Sequence, residues 1–465
     1  AISQTGYDHI SDMEIKDDQT MIWHFGPDPT GKRCGLSAPL ASGIYAPYLL
    51  LGGTSFGAGP YPQHALQSVA HKDWATSPYF TQKPTATSGP YMVDSFTPGP
   101  SAEVVLKPNP HFKDGRGASD PFFGHGPYLD TLIYKVYGDK SSQIAGLKAA
   151  DTDLGLDLIA KDLPAVQSIS QDTTLHETGL VSEFVNFNTA NNKTGCDAQQ
   201  FDATCGTPTV FKGDPTLRQA LDLAIDKNGM NQSLVGGIGK PMNTLIVSNM
   251  APYFDTSVPA FQRDVAKAKQ MLDADGWTVG SDGIRVKGGR KLAFQLSTTT
   301  NNPQRAAEEE QLIANWKEVG ASVTTLNWPA GKFFNSFKSG GIMATGQFDA
   351  GMFADTWAPD PDSWCATLEI GQIPTAANPS GVNWTYINDP TLDSLCQKGA
   401  SEVDINQRVA IYKQMEQEWK KQQPSADLYE RPNVYTMTTA FGNFLPTANS
   451  CIAVCNAADW FHGKS

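Results

Sequence analysis

The 465-residue sequence has no lysine- or arginine-rich run, and its 35 Lys+Arg fall short of 48 Asp+Glu, leaving a formal net charge of −13 at pH 7. That balance argues against a nucleic-acid partner. Long apolar runs are also missing: the longest, around "IYAPYLLLGG", is too short and too broken to cross a bilayer. No secretory leader opens the chain, since Ala1 begins inside soluble-looking sequence, which is also how a processed secreted chain looks. There is no G-x4-GK[ST] phosphate loop, no H-E-x2-H pair and no dinucleotide fingerprint. The eight histidines are scattered, so nothing marks a bare-metal site. One G-x-S-x-G match, "GTSFG", puts Ser55 where a serine hydrolase would carry its nucleophile. That elbow needs a helix directly after the serine, and here "AGPYPQ" follows with Pro60 and Pro62. None of these motifs supports a catalytic role or a cofactor, so the expectation is a chain that is not an enzyme, with a Ser55 hydrolase as the alternative.

What is present is a globular composition, 40% hydrophobic and 18% charged. The length predicts two to three domains. Seven cysteines fall as three spaced pairs with one left over: Cys196 with Cys205, Cys365 with Cys396, Cys451 with Cys455, and Cys34 alone. Pairs of this kind read as disulfides formed outside the cytoplasm, and no C-x2-C or H-x3-H accompanies them to suggest zinc. Along the chain, short strand patterns alternate with helical ones. "SGPYMVDSFTPGPSAEVVLKPNPHF" reads as a hairpin and "EFVNFNTA" as a strand. The clearest helix starts at "DPTLRQALDLAIDKNGM", with Asp214 as its cap, Pro215 in its first turn and Leu217, Leu221, Ala224 and Ile225 as its apolar stripe. "DVAKAKQMLDADGW" reads as a helix ended by Gly276, and "INQRVAIYKQMEQEWKKQQP" as one stopped by Pro424. Interleaved helices and strands of this kind imply mixed α/β domains.

The most unusual stretch is "FADTWAPDPDSWCATL", where Asp355, Asp360 and Asp362 accompany two prolines and two tryptophans. Pro359 and Pro361 exclude a helix or central strand through its middle, so it is a loop. A calcium loop is excluded, since proline, tryptophan and the absent glycine break the pattern. For Asp360 and Asp362 the simpler expectation is turn shaping and capping of the next helix. Trp364 is expected in the core.

Several segments in sequence order carry a resemblance: "YPQHAL", "SGPYMV", "LRQALDLAIDKNGM" with "GGIGKP", "AKQMLDADGWTVGSDGIRVKGGRKLAFQL", "LIANWKEVGASV", "FDAGMFADTWAPDPDSW" and "YINDPTLDSLCQKGASEVDINQRVAIYKQMEQEW". In these the chain resembles the family 5 extracellular solute-binding proteins, the oligopeptide-, dipeptide- and nickel-binding receptors of bacterial ABC importers. The resemblance implies a two-lobed, periplasmic-binding-protein-like α/β fold of type II with an extra subdomain. Residues 1–87 would be the remainder of that subdomain, 88–242 with 441–465 the first lobe, and 243–440 the second. Similar proteins carry an opening strand ahead of residue 1 here, so part of the first lobe is expected to be missing. The implied protein is an extracytoplasmic monomer, in the periplasm or on the outer cell surface, that serves ABC-importer permease subunits. Membrane tethering would come only through a lipidated N-terminus absent here. A sensory receptor of the same fold is an open alternative, as is a metal–chelator binder.

In peptide-binding members the segment resembling "MFADTWAPDPDSW" lines the cleft and carries an aspartate for the peptide ammonium. Counting back from "DPDSW", that position falls on Trp357, with Asp355 two residues earlier. Dipeptide-type members place a carboxylate-binding arginine at what is Thr299 or Thr300 here. With both anchors absent, a zwitterionic dipeptide would forfeit roughly 1.5–3 kcal/mol at each end. That leaves longer peptides, gripped along their backbone, or an oligosaccharide stacked on aromatic faces. The expected ligand-binding set is Phe353, Asp355, Thr356 and Trp357 on the loop and Thr299, Thr300 and Asn301 on the turn, with Trp384, Phe187 and Asn188. Asn383 is a further hydrogen-bonding candidate for a sugar.

Overall fold

A computed structural model describes residues 10–17, 20–25, 62–87, 89–112, 126–192, 207–358, 360–446, 454 and 456–463. Cys34, Ser55, Cys196, Cys205, Cys451 and Cys455 lie outside the described residues.

The chain divides into two compact units. One comprises Leu180–Arg431 with the N-terminal residues up to 56, the other Gly57–Gly179 with Pro432–Ser465. Residues 180–242, expected with the 88–179 sheet, therefore group with the residues that follow them. The reason lies in pairing and packing: the strand they begin with runs antiparallel along residues 350–356, and the capped helix at Pro215–Ala224 packs on Val265–Ala274.

A seven-stranded sheet organises the site. Its strands are β1 (Leu154–Leu158), β2 (Asp172–Phe187), β3 (Lys240–Pro241), β4 (Ala293–Ser297), β5 (Ser322–Thr325), β6 (Ala350–Thr356) and β7 (Ser425–Thr438). The order is β3-β7-β2-β6-β4-β5, with β1 also on β7. β4 is parallel to both β5 and β6, whereas β6 runs antiparallel to β2. β2 and β7 are long, 16 and 14 residues, and each has residues in both compact units. In the smaller unit, Tyr91–Thr97, Glu103–Pro108 and Leu132–Lys135 form a separate antiparallel meander.

The helices follow their caps. Helix α1 (Pro215–Ala224) starts where Asp214 Oδ1 accepts from the Leu217 N–H at 2.9 Å, with Pro215 in the first turn, and it buries Leu217, Ala220, Leu221 and Ala224. The helical pattern then breaks and restarts as α2 (Lys227–Leu234), because Asp226 caps a second N-terminus. α3 (Val265–Ala274) is closed by Gly276 at φ +88°, a left-handed conformation that glycine takes without strain. α4 (Pro303–Glu318) carries the chain from β4 to β5 and is capped by Asn302. α5 (Asp362–Cys365), α6 (Pro390–Ser401) and α7 (Ile405–Gln422) follow, and α7 ends at Gln423, one residue before Pro424. Under the sheet of the larger unit, Phe187, Phe211, Phe294 and Trp316 pack as a continuous row with successive ring centroids 4.9, 5.0 and 5.4 Å apart. No helix among the described residues is long and apolar enough to cross a membrane.

Candidate functional site

The sheet order creates a topological switch. From β4 the chain crosses through α4 to β5 on one side, while β6 lies on the other side of β4 and parallel to it. Connections leaving two adjacent parallel strands in opposite directions leave a crevice outside their carboxyl ends, the usual ligand position in open α/β sheets. Here that position is flanked by residues 298–302 after β4 and by the carboxyl end of β6.

The turn after β4 is held by its own backbone and its neighbours. The Thr298 N–H donates to Asn327 Oδ1 at 3.0 Å, and its hydroxyl donates to the Met352 carbonyl of β6 at 2.7 Å. Backbone hydrogen bonds with Trp328 hold both sides, Trp328 N–H to the Thr298 carbonyl at 3.0 Å and Thr300 N–H to the Trp328 carbonyl at 2.9 Å. Asn301 sits in the left-handed region at φ +64°, which asparagine tolerates better than most residues. Thr300 and Asn301 are left exposed at the tip. Thr299 is buried, and its hydroxyl accepts from Arg305 Nη1 at 3.0 Å. Arg305 also donates to Glu183 of β2 at 2.7 Å, and Arg431 of β7 lies 3.8 Å from the other Glu183 oxygen. Beside the turn is a cavity of about 360 Å³, lined by residues 298–303 with Ala306, Glu309 and Asn327. Glu309 is only 4% exposed; one carboxylate oxygen accepts from Asn327 Nδ2 at 2.7 Å, and the other has no partner among the described residues. Burial pushes its carboxyl above the usual range, and the Asn327 amide offsets this in part.

At the end of β6, Asp355 is exposed while Phe353 is buried. The Thr356 N–H donates to Asp355 Oδ1 at 2.8 Å. Desolvation nevertheless pushes the Asp355 carboxyl up to about 6. Trp357 is a wall residue: its indole N–H donates to Ser182 Oγ at 2.8 Å, and its ring stacks on Trp364 at 5.0 Å. Only 4% of it is exposed, so its faces are not an open platform. The half-buried Trp384 offers more surface; it stacks on Phe334 at 5.8 Å and leans on Phe353 at 5.6 Å.

Other expected residues are placed elsewhere. Phe187 is fully buried in the row of core rings. Asn188 is equally buried, donating to the Gly346 and Phe348 carbonyls and accepting from the Ala190 N–H. Asn383 donates to the Glu369 and Ile387 carbonyls and accepts from the Thr385 hydroxyl. All three are fully buried. Asp360 does shape the turn, its carboxylate accepting at 2.9 Å from the N–H of Asp362, the first residue of α5. The larger role of Asp360 is a two-pronged ion pair with the fully buried Arg408 of α7, at 2.9 and 2.8 Å. Cys365 and Cys396 form the expected disulfide, with Cα atoms 5.4 Å apart.

Arg408 and Glu309 were not among the expected residues. The partner of Asp360 is 48 residues away, and nothing local points to it. Glu309 had a signal: it lies on the helical stripe of Leu312 and Trp316, although the "EEE" run looks like a solvated face.

Comparison with known proteins agrees with this architecture. Residues 2–372 match the model of the bacterial extracellular solute-binding proteins, family 5 middle region. The chain is 25% identical over 332 residues to the oligopeptide-binding protein OppA of Lactococcus lactis subsp. lactis, covering 70% of this chain and 50% of OppA. It thus spans about half the length of such curated relatives. Among solved structures, the oligopeptide-binding protein AppA of Bacillus subtilis in complex with a nonapeptide superposes with a TM-score of 0.68 at 22% identity, covering 98% of this chain and 79% of AppA. NikZ of Campylobacter jejuni in complex with Ni(L-His) superposes at 0.72 and 19%, covering 99% and 80%. These two show a shared fold. With four-fifths of its length matched by the family model, the chain belongs to the family 5 bacterial extracellular solute-binding proteins.

Proposed function

We propose that the chain captures an oligopeptide at the carboxyl ends of β4 and β6 and delivers it to the permease subunits of an ABC importer. It works outside the cytoplasm, as a monomer, and does no chemistry on its cargo. The observation that carries this reading is the switch point itself, with an exposed Thr300/Asn301 tip on one side and the exposed Asp355 on the other. Exposed hydroxyl and amide groups suit the alternating donors and acceptors of a peptide backbone. Asp355, exposed and without a cationic partner among the described residues, suits a peptide ammonium or basic side chain. The oligopeptide-binding relatives support the same cargo class. An oligosaccharide is the second reading, favoured by the open, stacked Trp384 and Phe334 pair.

Native mass spectrometry of the purified protein, followed by denaturation and identification of what is released, separates the two. A released peptide mixture is the expected result. A released sugar, or a metal–chelator complex, overturns the peptide reading.

A further inference from the structure

We propose that the stacked rings of Phe334 and Trp384 form a subsite for an aromatic side chain close to the amino terminus of a bound peptide, whose ammonium sits on Asp355. This rests on the peptide reading and adds a preference to it. Side chains two apart on a strand share a face, so Phe353, Asp355 and, just past β6, Trp357 form one row. The rings of Phe353 and Trp357 both meet Phe184 of β2, at 4.6 and 6.0 Å, which puts them on the same side of the sheet. Both rings are buried, and the carboxylate between them is exposed. Phe353 in turn carries the aromatic pair: its ring lies 5.4 Å from Phe334 and 5.6 Å from Trp384. Asp355 is two strand residues further on, roughly 7 Å, a spacing that one or two residues of an extended peptide can span.

The second observation is that the pair is exposed and already held in place. Phe334 is 36% exposed and Trp384 half-buried, whereas the neighbouring rings of Phe333, Phe353 and Trp357 are buried. The Phe334 and Trp384 rings are 5.8 Å apart with 28° between their planes, a stack that a third ring extends by offset or edge contact. Trp384 is fixed from both sides. The Asn383 amide donates to the Glu369 and Ile387 carbonyls at 3.0 Å each, and the Thr385 carbonyl accepts from the Thr189 N–H and hydroxyl at 2.9 Å each. Phe334 packs edge-on against the fully buried Phe333 at 4.8 Å. Rings ordered before binding lose little further freedom when a ligand arrives. An aliphatic side chain would bury area on this pair but would lack the ring-to-ring contact. Asp355 has no cationic partner among the described residues, and the peptide ammonium supplies one. Together the carboxylate and the rings select a peptide with an aromatic residue near its amino terminus.

The test uses hexa-alanine and its variants carrying one phenylalanine at each position in turn, with binding measured by calorimetry. Phenylalanine at the first or second position is expected to tighten binding at least tenfold, and at the fifth or sixth to change it less than twofold. In Phe334→Ala the early-position gain falls below threefold, while hexa-alanine itself binds nearly as it does to the wild type. Phe334→Leu keeps the bulk without the ring and also loses the gain, which keeps the test decisive if Phe334→Ala fails to fold. Phe334→Tyr restores a ring and recovers it. No gain at the early positions, or a gain kept in both the alanine and leucine variants, overturns the subsite. If no peptide binds, the peptide reading fails, and 2-phenylethylammonium against ethylammonium, followed by NMR on the same proteins, decides the subsite alone. Selective phenylethylammonium binding that is lost in Phe334→Leu supports it; no binding overturns it.

Discussion

Two loops leave adjacent parallel strands of one sheet and meet different fates. The end of β6 and the loop after it carry three aspartates and two tryptophans in a dozen residues, and most of these groups are already engaged. Asp360 is clamped by Arg408, Trp357 lies on Trp364 and bonds Ser182, and Cys365 is linked to Cys396. Of the three aspartates, Asp355, near the end of β6, is exposed, whereas Asp360 and Asp362 are buried. The turn after β4 is plain by comparison, three threonines and two asparagines, yet it keeps an exposed tip and borders a cavity with a half-satisfied acid. Chemical richness in a sequence is thus a poor guide to availability. A buried acid with a matched cation is scaffold, while a modest hydroxyl facing an open crevice can hold a ligand.

The contrast can be broken most forcefully at Arg408. Arg408→Leu strands Asp360 in a buried site without its cation, and breaking such a pair costs about 3–5 kcal/mol. Urea unfolding should show that loss, whereas peptide affinity of the protein that remains folded should change little. Cys365→Ser with Cys396→Ser comes next, with about 2–4 kcal/mol of stability lost on the same assay. An unchanged unfolding midpoint in both would mean that the acid loop is not scaffold.

Thr300→Ala should reverse the pattern. Its stability effect should stay within about 0.5 kcal/mol, as for exposed positions. Loss of one hydrogen bond of about 1 kcal/mol should weaken peptide binding about fivefold in calorimetry. The smallest effect is expected at Asp355 and depends on pH. Its carboxyl is raised to about 6 in the folded protein, so the folded state holds its proton after the unfolded chain has released it. The stability contributed is full below the unfolded value near 4 and is lost as pH rises through about 6. Asp355→Asn should therefore match the wild-type melting temperature at pH 4 and exceed it at pH 7. A variant that is less stable at pH 7 would show that the ionised carboxylate has a partner.

Much of the fold was legible because its signals are local. Asp214 with Pro215, Gly276 and Pro424 each punctuate a helix through backbone chemistry that neighbouring residues cannot override. The Cys365–Cys396 link followed from spacing. The turn at 299–301 and Asp355 came through family resemblance, and their contact with a ligand belongs to the proposal. Phe187 and Asn188 show where such reading stops. Alternation along "EFVNFNTA" announces a strand, but the carboxyl-terminal half of β2 lies inside the sheet and is buried on both faces, and Asn188, just beyond it, is buried as well. The Asp360–Arg408 pair and the spare oxygen of Glu309 depend on side chains brought together by the tertiary fold, and no window of sequence contains them.

The central claim is that cargo touches the β4 turn and the start of the β6 loop, and not the acids beyond it. A crystal structure of the protein grown with hexa-alanine tests this most directly. The account predicts peptide atoms within about 4 Å of Thr300, Asn301 and Asp355, with the Asp360–Arg408 pair intact and untouched. A peptide seated instead on Asp360 or Asp362, with Thr300 and Asn301 facing only water, would contradict it.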